Sequence, residues 1–121
     1  MEKTVVTALE DIKGRDIVVL KVAHLSPLFE RIIIASADST RQTKALADNV
    51  VQKLKAAGAQ VLSVEGAQTG EWVLVDLGAI VVHVMQPTIR QYYNLEELWD
   101  QPEPKRPRAR KKPAEARPVA R

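Results

Sequence analysis

The stretch that most constrains the fold is residues 71–85, EWVLVDLGAIVVHVM, where two runs of alternating apolar residues flank Gly78 and Ala79. Glycine at the first position of a two-residue turn suits a type II′ hairpin, because glycine enters positive φ without steric cost. The register this turn predicts pairs Leu77 with Ile80, Asp76 with Val81, Val75 with Val82, Leu74 with His83, Val73 with Val84 and Trp72 with Met85. One face of the hairpin is therefore wholly aliphatic, and the other is mixed.

The mixed face of this hairpin has the composition of a protein interface, in which aromatic residues and methionine are enriched. A small sheet cannot easily bury both sides, and the aliphatic face already supplies a core. Four of the five aromatic residues lie between positions 72 and 99. One of the two tyrosines there is expected to pack inward, and Trp99 is expected to close the last helix onto the sheet. We predict a partner-binding surface formed by Trp72, Leu74, Asp76, His83, Met85, Tyr92 and Tyr93.

The composition is that of an ordinary globular domain. A chain of 121 residues, 45% of them hydrophobic, can form a core without metal or disulfide support. The absence of cysteine excludes thiol catalysis, disulfides and cysteine-ligated zinc. No apolar run approaches the roughly 20 residues needed to span a bilayer, and the acidic start MEKTVVTALEDIKG does not resemble a signal peptide. A cytoplasmic protein that does not bind membranes is expected.

Charge divides the chain after Asp100. Residues 1–100 hold 10 basic against 13 acidic residues, a net charge of −3, whereas residues 101–121 hold 8 against 2, a net charge of +6. The second segment also holds five of the seven prolines and has too little apolar surface to offset the entropy of ordering. We therefore predict one α/β domain over 1–100 and a disordered basic tail over 101–121. The basic residues expected to contact the phosphates of RNA are Lys105, Arg106, Arg108, Arg110, Lys111 and Lys112.

The remaining segments predict the rest of the domain. A short amphipathic helix near 2–12 precedes β-branched strands at 16–22 and 31–37. Ser39 is placed to cap a long helix that ends at Gly58, with Gln42 completing a capping box. A strand at 59–66 and the hairpin follow, and a helical segment begins after Pro87. The order αββαβββα predicts a single mixed, roughly five-stranded sheet with flanking helices.

Catalytic signatures are absent from the sequence. It contains no glycine-rich phosphate loop and no paired carboxylates on a strand that would hold Mg²⁺. His24 and His83 lack a second ligand at i+2 or i+4, so neither a metal nor a cofactor is expected. The alternative to a binding protein is a metal-independent hydrolase or transferase that uses Asp76 and His83, which would lie diagonally about 7 Å apart on the hairpin. A general RNA-binding protein led by the tail is a third possibility.

The same residues carry a family resemblance. The run GEWVLVDLGAIVVHVM, followed by RQYYNLEELW, resembles the C-terminal half of the ribosomal silencing factor family, also called Iojap-like proteins. The matching positions are Trp72, Asp76, His83, Arg90, Tyr93, Leu95, Glu96, Leu98 and Trp99. Upstream, IIIASADSTRQTKALADNV resembles the family at Ala35, Ser36, Ser39, Arg41 and Gln42. The resemblance covers about residues 5–100 and does not include the basic tail.

This resemblance carries expectations about fold and function. It implies a mixed α/β domain with the topology of nucleotidyltransferases but without their catalytic residues. It also implies a non-enzymatic translational repressor, which binds the large ribosomal subunit through a ribosomal protein on the intersubunit face. Such a repressor obstructs joining of the small subunit when nutrients are scarce. Whether the domain also forms a homodimer is left open by the sequence.

Overall fold

The computed structural model describes residues 1–99. These residues form four helices and five strands in the order α1 (Glu2–Asp11), β1 (Arg15–Lys21), β2 (Arg31–Ser36), α2 (Thr40–Ala56), β3 (Ser63–Glu65), β4 (Trp72–Asp76), β5 (Ile80–Met85), α3 (Pro87–Tyr93) and α4 (Leu95–Trp99). The predicted basic tail, residues 101–121, lies outside this range. Within residues 1–99, no helix is both long and apolar enough to cross a bilayer.

The five strands form one mixed sheet in the order β1-β2-β5-β4-β3. Strands β2 and β5 are parallel and lie at the centre, where Ile33 pairs with Val82, and the other three pairings are antiparallel. Parallel neighbours need a long crossover connection, and α2 lies within it. The mixed five-stranded sheet predicted from the sequence is therefore confirmed.

The β4–β5 hairpin has the register that the alternation predicts. Trp72 pairs with Met85, Leu74 with His83 and Asp76 with Val81. Gly78 has a φ of +90°, and the N–H of Leu77 donates to the carbonyl of Ile80 at 2.9 Å. The carboxylate of Asp76 accepts from the N–H of Gly78 at 2.9 Å, which adds a side-chain bond to the turn.

Helices α1 and α2 cover the aliphatic face of the sheet. The buried core there includes Val5, Leu9, Ile33, Leu46, Val50, Val73, Val75, Val82 and Val84. Ser39 caps α2 as predicted, since its hydroxyl accepts from the N–H of Gln42 at 3.1 Å. The side chain of Gln42 accepts from the N–H of Asp38 rather than of Ser39, and it donates to the carbonyls of Ile12 and Lys13. Gln42 therefore joins the start of α2 to the end of α1.

The opposite face of the sheet is only partly covered. Helices α3 and α4 contribute Ile89 and Leu95, which pack against a smaller buried cluster consisting of Leu20, Val22, Ile32, Ile34 and Met85. Met85 is completely buried, so the prediction that it contacts a partner is wrong. The reason is that α3 begins two residues after Met85 and returns over this end of the sheet.

Two further segments differ from the sequence prediction. Strand β3 spans only Ser63–Glu65 instead of 59–66. The N–H of Ala59 donates to the carbonyl of Leu54, so this backbone completes the end of α2, and Ala59 and Val61 pack against the larger core. The segment after Pro87 is divided into α3 and α4 at Asn94, whose φ of 47° is left-handed.

Candidate partner-binding surface

The predicted binding residues converge around a hydrogen bond between Trp72 and His83. The two residues lie diagonally on neighbouring strands, since Trp72 pairs with Met85 and His83 pairs with Leu74. The indole Nε1–H of Trp72 donates to Nδ1 of His83 at 2.9 Å, and the ring centroids are 5.8 Å apart. His83 is only 8% exposed, whereas Trp72 is half-buried. The bond therefore fixes the orientation of a partly accessible indole against a buried imidazole.

The protonation state of His83 follows from this geometry. An indole nitrogen can only donate, so Nδ1 must be unprotonated and the neutral ring carries its hydrogen on Nε2. Burial lowers the pKa of His83 from 6.5 to about 4, because the charged form would lose hydration. At neutral pH the imidazole is therefore uncharged, with an acceptor turned to Trp72 and a donor on the other side of the ring.

Two tyrosines of α3 extend this cluster outward. The ring of Tyr93 lies 4.9 Å from that of Trp72, and Tyr92 contacts Tyr93 edge to face at 5.0 Å. Tyr93 is 53% exposed and Tyr92 is 81% exposed. The expectation that one tyrosine packs inward is wrong, because Tyr93 packs along the surface against the indole. We call Trp72, Leu74, Asp76, His83, Tyr92 and Tyr93 the binding face, because these are the residues predicted to contact a partner.

A cleft of about 570 Å³ adjoins the binding face. Its walls are mostly apolar. They come from the segment between β1 and β2, the residue before β3, the hairpin and α4. The apolar lining residues include Leu28, Phe29, Leu62, Leu74, Val81 and Leu95. The polar residues that line it are His83, Glu65 and Asp76. Leu28 is 78% exposed and Leu62 is 55% exposed. Sequence reasoning missed both leucines, because a single leucine in a connecting segment gives no signal of its spatial neighbours.

A buried arginine holds the helices beside the binding face. Arg90 of α3 donates through Nη1 to the hydroxyl of Ser36 at 2.8 Å, and through Nε to the carboxylate of Glu96 at 2.7 Å. The side chain of Arg90 is 9% exposed, and its hydrogen bond lowers the pKa of Glu96. This contact joins the end of β2 to α3 and α4, so it positions Tyr93 and Leu95. The resemblance marked all three residues, but the contact of Arg90 with Ser36 spans 54 positions and has no local signature.

Asp76 and His83, the pair that the hydrolase or transferase alternative requires, are not hydrogen-bonded to each other in the structure. The Oδ1 of Asp76 accepts from the Gly78 N–H, and Nδ1 of His83 accepts from Trp72. Within residues 1–99, no hydrogen bond joins Asp76 to His83, and no group of three potential ligands could hold a metal ion. The side chain of Trp99 and the tail residues Lys105, Arg106, Arg108, Arg110, Lys111 and Lys112 lie outside what the structure describes.

The chain is a small α/β domain that carries an exposed aromatic cluster on one face of its sheet. A family model described as "Ribosomal silencing factor during starvation" matches residues 1–121. The chain therefore belongs to the ribosomal silencing factor family, and the resemblance seen in its sequence is confirmed. The family is defined by silencing of ribosomes, and its description names no catalytic activity.

Individual relatives agree with this assignment. The ribosomal silencing factor RsfS of Chromobacterium violaceum is 54% identical over 99 residues, which cover 82% of this chain and 81% of the relative. A crystal structure of a protein from the same organism has a TM-score of 0.81 and 52% identity, covering 86% of this chain and 87% of that one. A mouse protein named mitochondrial assembly of ribosomal large subunit protein 1 is 33% identical over 97 residues, covering 78% of this chain and 42% of the mouse protein.

Proposed function

We propose that this chain is a non-enzymatic, cytoplasmic repressor of translation that binds the large ribosomal subunit. In this proposal the binding face docks on a ribosomal protein of the intersubunit surface, so that the bound chain obstructs the small subunit. Membership of the silencing factor family supports the ribosome as the target. The name of the mouse relative supports the large subunit in particular.

The observation that carries this proposal is the exposed, ordered arrangement of Trp72, Tyr93 and Tyr92. Each ring contacts the next, and both tyrosines remain more than half exposed. Aromatic anchors whose orientation is already set lose little conformational freedom on binding, which favours affinity. Exposed apolar side chains that cluster beside such anchors are typical of interaction sites.

The charge around the cleft favours a protein partner over RNA for this surface. Glu65 and Asp76 line the cleft, and within the described residues no lysine or arginine does. Two carboxylates would repel the phosphates of RNA. Any RNA contact is therefore assigned to the basic tail, where eight of the last 21 residues are lysine or arginine.

Sedimentation of the purified chain with separated ribosomal subunits tests the proposal. We expect association with large subunits and not with small subunits, and inhibition of subunit joining only near one copy per large subunit. Inhibition at far lower ratios, with turnover that is lost in His83→Ala, would favour the hydrolase or transferase instead. Binding to unrelated RNA as strong as to ribosomes would favour a general RNA-binding protein.

A matched pair of leucine variants locates the surface in the same assay. Leu28→Ala removes a cleft side chain that is 78% exposed, so it should change the free energy of unfolding by less than about 0.5 kcal/mol and still weaken large-subunit binding. Leu25→Ala is the control, since Leu25 is 40% exposed and does not line the cleft. Equal binding by both variants would place the interface elsewhere.

A further inference from the structure

His83 presents its two nitrogens to two different surroundings. Nδ1 is occupied by the indole of Trp72, which does not line the cleft, whereas His83 itself does. With Nδ1 engaged by Trp72, Nε2–H is the hydrogen-bonding group that His83 can offer in the cleft. Among the hydrogen bonds of the described residues, the His83 side chain takes part in the one from Trp72. A residue that is only 8% exposed thus has one ring nitrogen that no described protein group engages, beside a mostly apolar cleft.

Once a partner covers the cleft and excludes water, a donor in such surroundings needs an acceptor from that partner, because a buried donor without one is unfavourable. We propose that the cleft receives a polypeptide segment of the ribosomal partner, and that this segment presents a hydrogen-bond acceptor to Nε2–H of His83. An apolar side chain of the same segment fills the space between Leu28 and Leu74. The inference rests on the proposed function and specifies the chemistry of the partner that the binding face recognises.

The acidic rim adds a second requirement for the occupant. Glu65 is exposed and Asp76 is partly exposed, and Asp76 uses only Oδ1 to bind Gly78. The rim therefore carries negative charge with no basic residue among the described lining residues. Charge complementarity assigns a lysine or arginine to the partner segment, next to the apolar side chain. The proposed partner segment therefore carries three features close together: a hydrogen-bond acceptor, an apolar side chain and a lysine or arginine.

Variants at His83 separate this donor role from simple positioning of Trp72. In His83→Asn, the amide oxygen can replace Nδ1 as the acceptor for Trp72, but no group reaches the position of Nε2. In His83→Gln, the longer side chain can place an amide N–H near the position of Nε2. His83→Phe retains a buried ring and has neither group. Each full-length variant is compared with the wild type by binding to purified large subunits at fixed salt, after thermal unfolding has established the folded fraction.

We expect His83→Asn and His83→Phe to bind large subunits roughly tenfold more weakly per folded molecule, and His83→Gln to stay within about threefold of the wild type. If His83 acted only by orienting Trp72, the Asn variant would bind normally and the Gln variant would not, which would overturn the inference. A wild-type chain that fails to bind large subunits would instead disprove the proposed function, and the inference with it.

The charge requirement is tested by Asp76→Asn combined with Glu65→Gln. The asparagine retains the oxygen that accepts from Gly78, so only charge is removed. The pair should weaken binding several-fold and make it less sensitive to salt. Glu10→Gln on α1 is the control, because α1 packs on the opposite face of the sheet. Unchanged binding by the pair would exclude a basic residue in the partner segment.

Two other occupants have distinct outcomes in these assays. If a second copy of this chain filled the cleft, His83→Asn would convert a dimer to a monomer in sedimentation velocity without weakening subunit binding. If the chain's own tail filled it, replacing Lys105 and Arg106 by glutamine would strengthen binding to large subunits. Either result would overturn the inference.

Discussion

Trp72 and His83 are joined by a 2.9 Å hydrogen bond that crosses the β4–β5 ladder diagonally. The bond connects the exposed aromatic cluster to the cleft. Trp72 packs against the exposed Tyr93, and His83 lines the cleft. It also determines the tautomer of the imidazole, since the indole can only donate. One contact therefore sets both the orientation of the Trp72 indole and which ring nitrogen of His83 carries the hydrogen.

Trp72→Ala should release the chain from the large subunit. Trp72 lies between the imidazole of His83 and the ring of Tyr93, so its removal takes away the centre of the aromatic cluster. Truncating an interface aromatic of this kind commonly costs about 2 kcal/mol or more, which is roughly thirty-fold in affinity. The larger core under α1 and α2 does not include Trp72, so the variant should remain folded by circular dichroism. Normal co-sedimentation of the folded variant would show that the surface is wrong.

Acid should destabilise the chain through His83. The pKa of this histidine is about 4 in the folded state and 6.5 in the unfolded state. Between these values the unfolded chain takes up a proton that the folded chain does not, so stability falls as pH falls through that window. The full effect between pH 7 and pH 4 is roughly 3 kcal/mol. The lowered pKa of Glu96 also makes the free energy of unfolding decrease as the pH falls, but at lower pH than for His83.

Urea unfolding of the wild type and of His83→Gln at pH 7, 5.5 and 4.5 measures this effect. The difference in unfolding free energy between the two proteins should shrink as the pH falls, because glutamine does not titrate. The indole N–H loses its acceptor only when the folded chain protonates His83, so the fluorescence of the folded wild type should change near pH 4. A difference that does not vary with pH would mean that His83 is not held neutral by burial.

Arg90→Met should destabilise the chain by roughly 2 to 3 kcal/mol. The substitution leaves the buried hydroxyl of Ser36 and the carboxylate of Glu96 without their donor. The effect is smaller than for a fully buried pair because the side chain of Glu96 is 35% exposed. Large-subunit binding should also weaken, since α3 carries Tyr93. Urea unfolding provides the first measurement and sedimentation the second.

Arg31→Met is the matched control for Arg90. The pair that it breaks, Arg31 with Glu2, has side chains that are 29% and 45% exposed, so its loss should cost at most about 1 kcal/mol. Comparable losses for the two variants would contradict the role of Arg90 as a buried connection between β2, α3 and α4.

Removal of residues 101–121 should change the salt dependence of binding. If the tail contacts ribosomal RNA, each phosphate contact contributes a salt-sensitive term from counterion release. The shortened chain should remain specific for large subunits, and the slope of log affinity against log salt should flatten by somewhat under one for every phosphate that the tail neutralises. Binding measured at several salt concentrations for both chains checks this. Superimposable slopes would leave the tail with no role in binding.

The sequence by itself determined the features that depend on near neighbours. The alternation of residues 71–85 set the register of the hairpin, because a slip by one position would exchange the aliphatic and mixed faces. Positive φ at Gly78 set the turn, and the hydroxyl of Ser39 set the start of α2. Each of these depends on interactions within a few residues or on one repeating pattern, which can be seen in the sequence directly.

Only the tertiary structure decided which parts of the mixed face remain accessible. Trp72 and Met85 are paired on that face, yet Met85 is fully buried and Trp72 is not, because α3 and α4 pack on the buried cluster that contains Met85 and residues of β1 and β2. The contact of Arg90 with Ser36 that holds these helices spans 54 positions. The cleft likewise brings Leu28 and Leu62 together with the hairpin from separate segments. Such exposure depends on where distant elements pack against one another, and the local pattern of a strand contains no information about that packing.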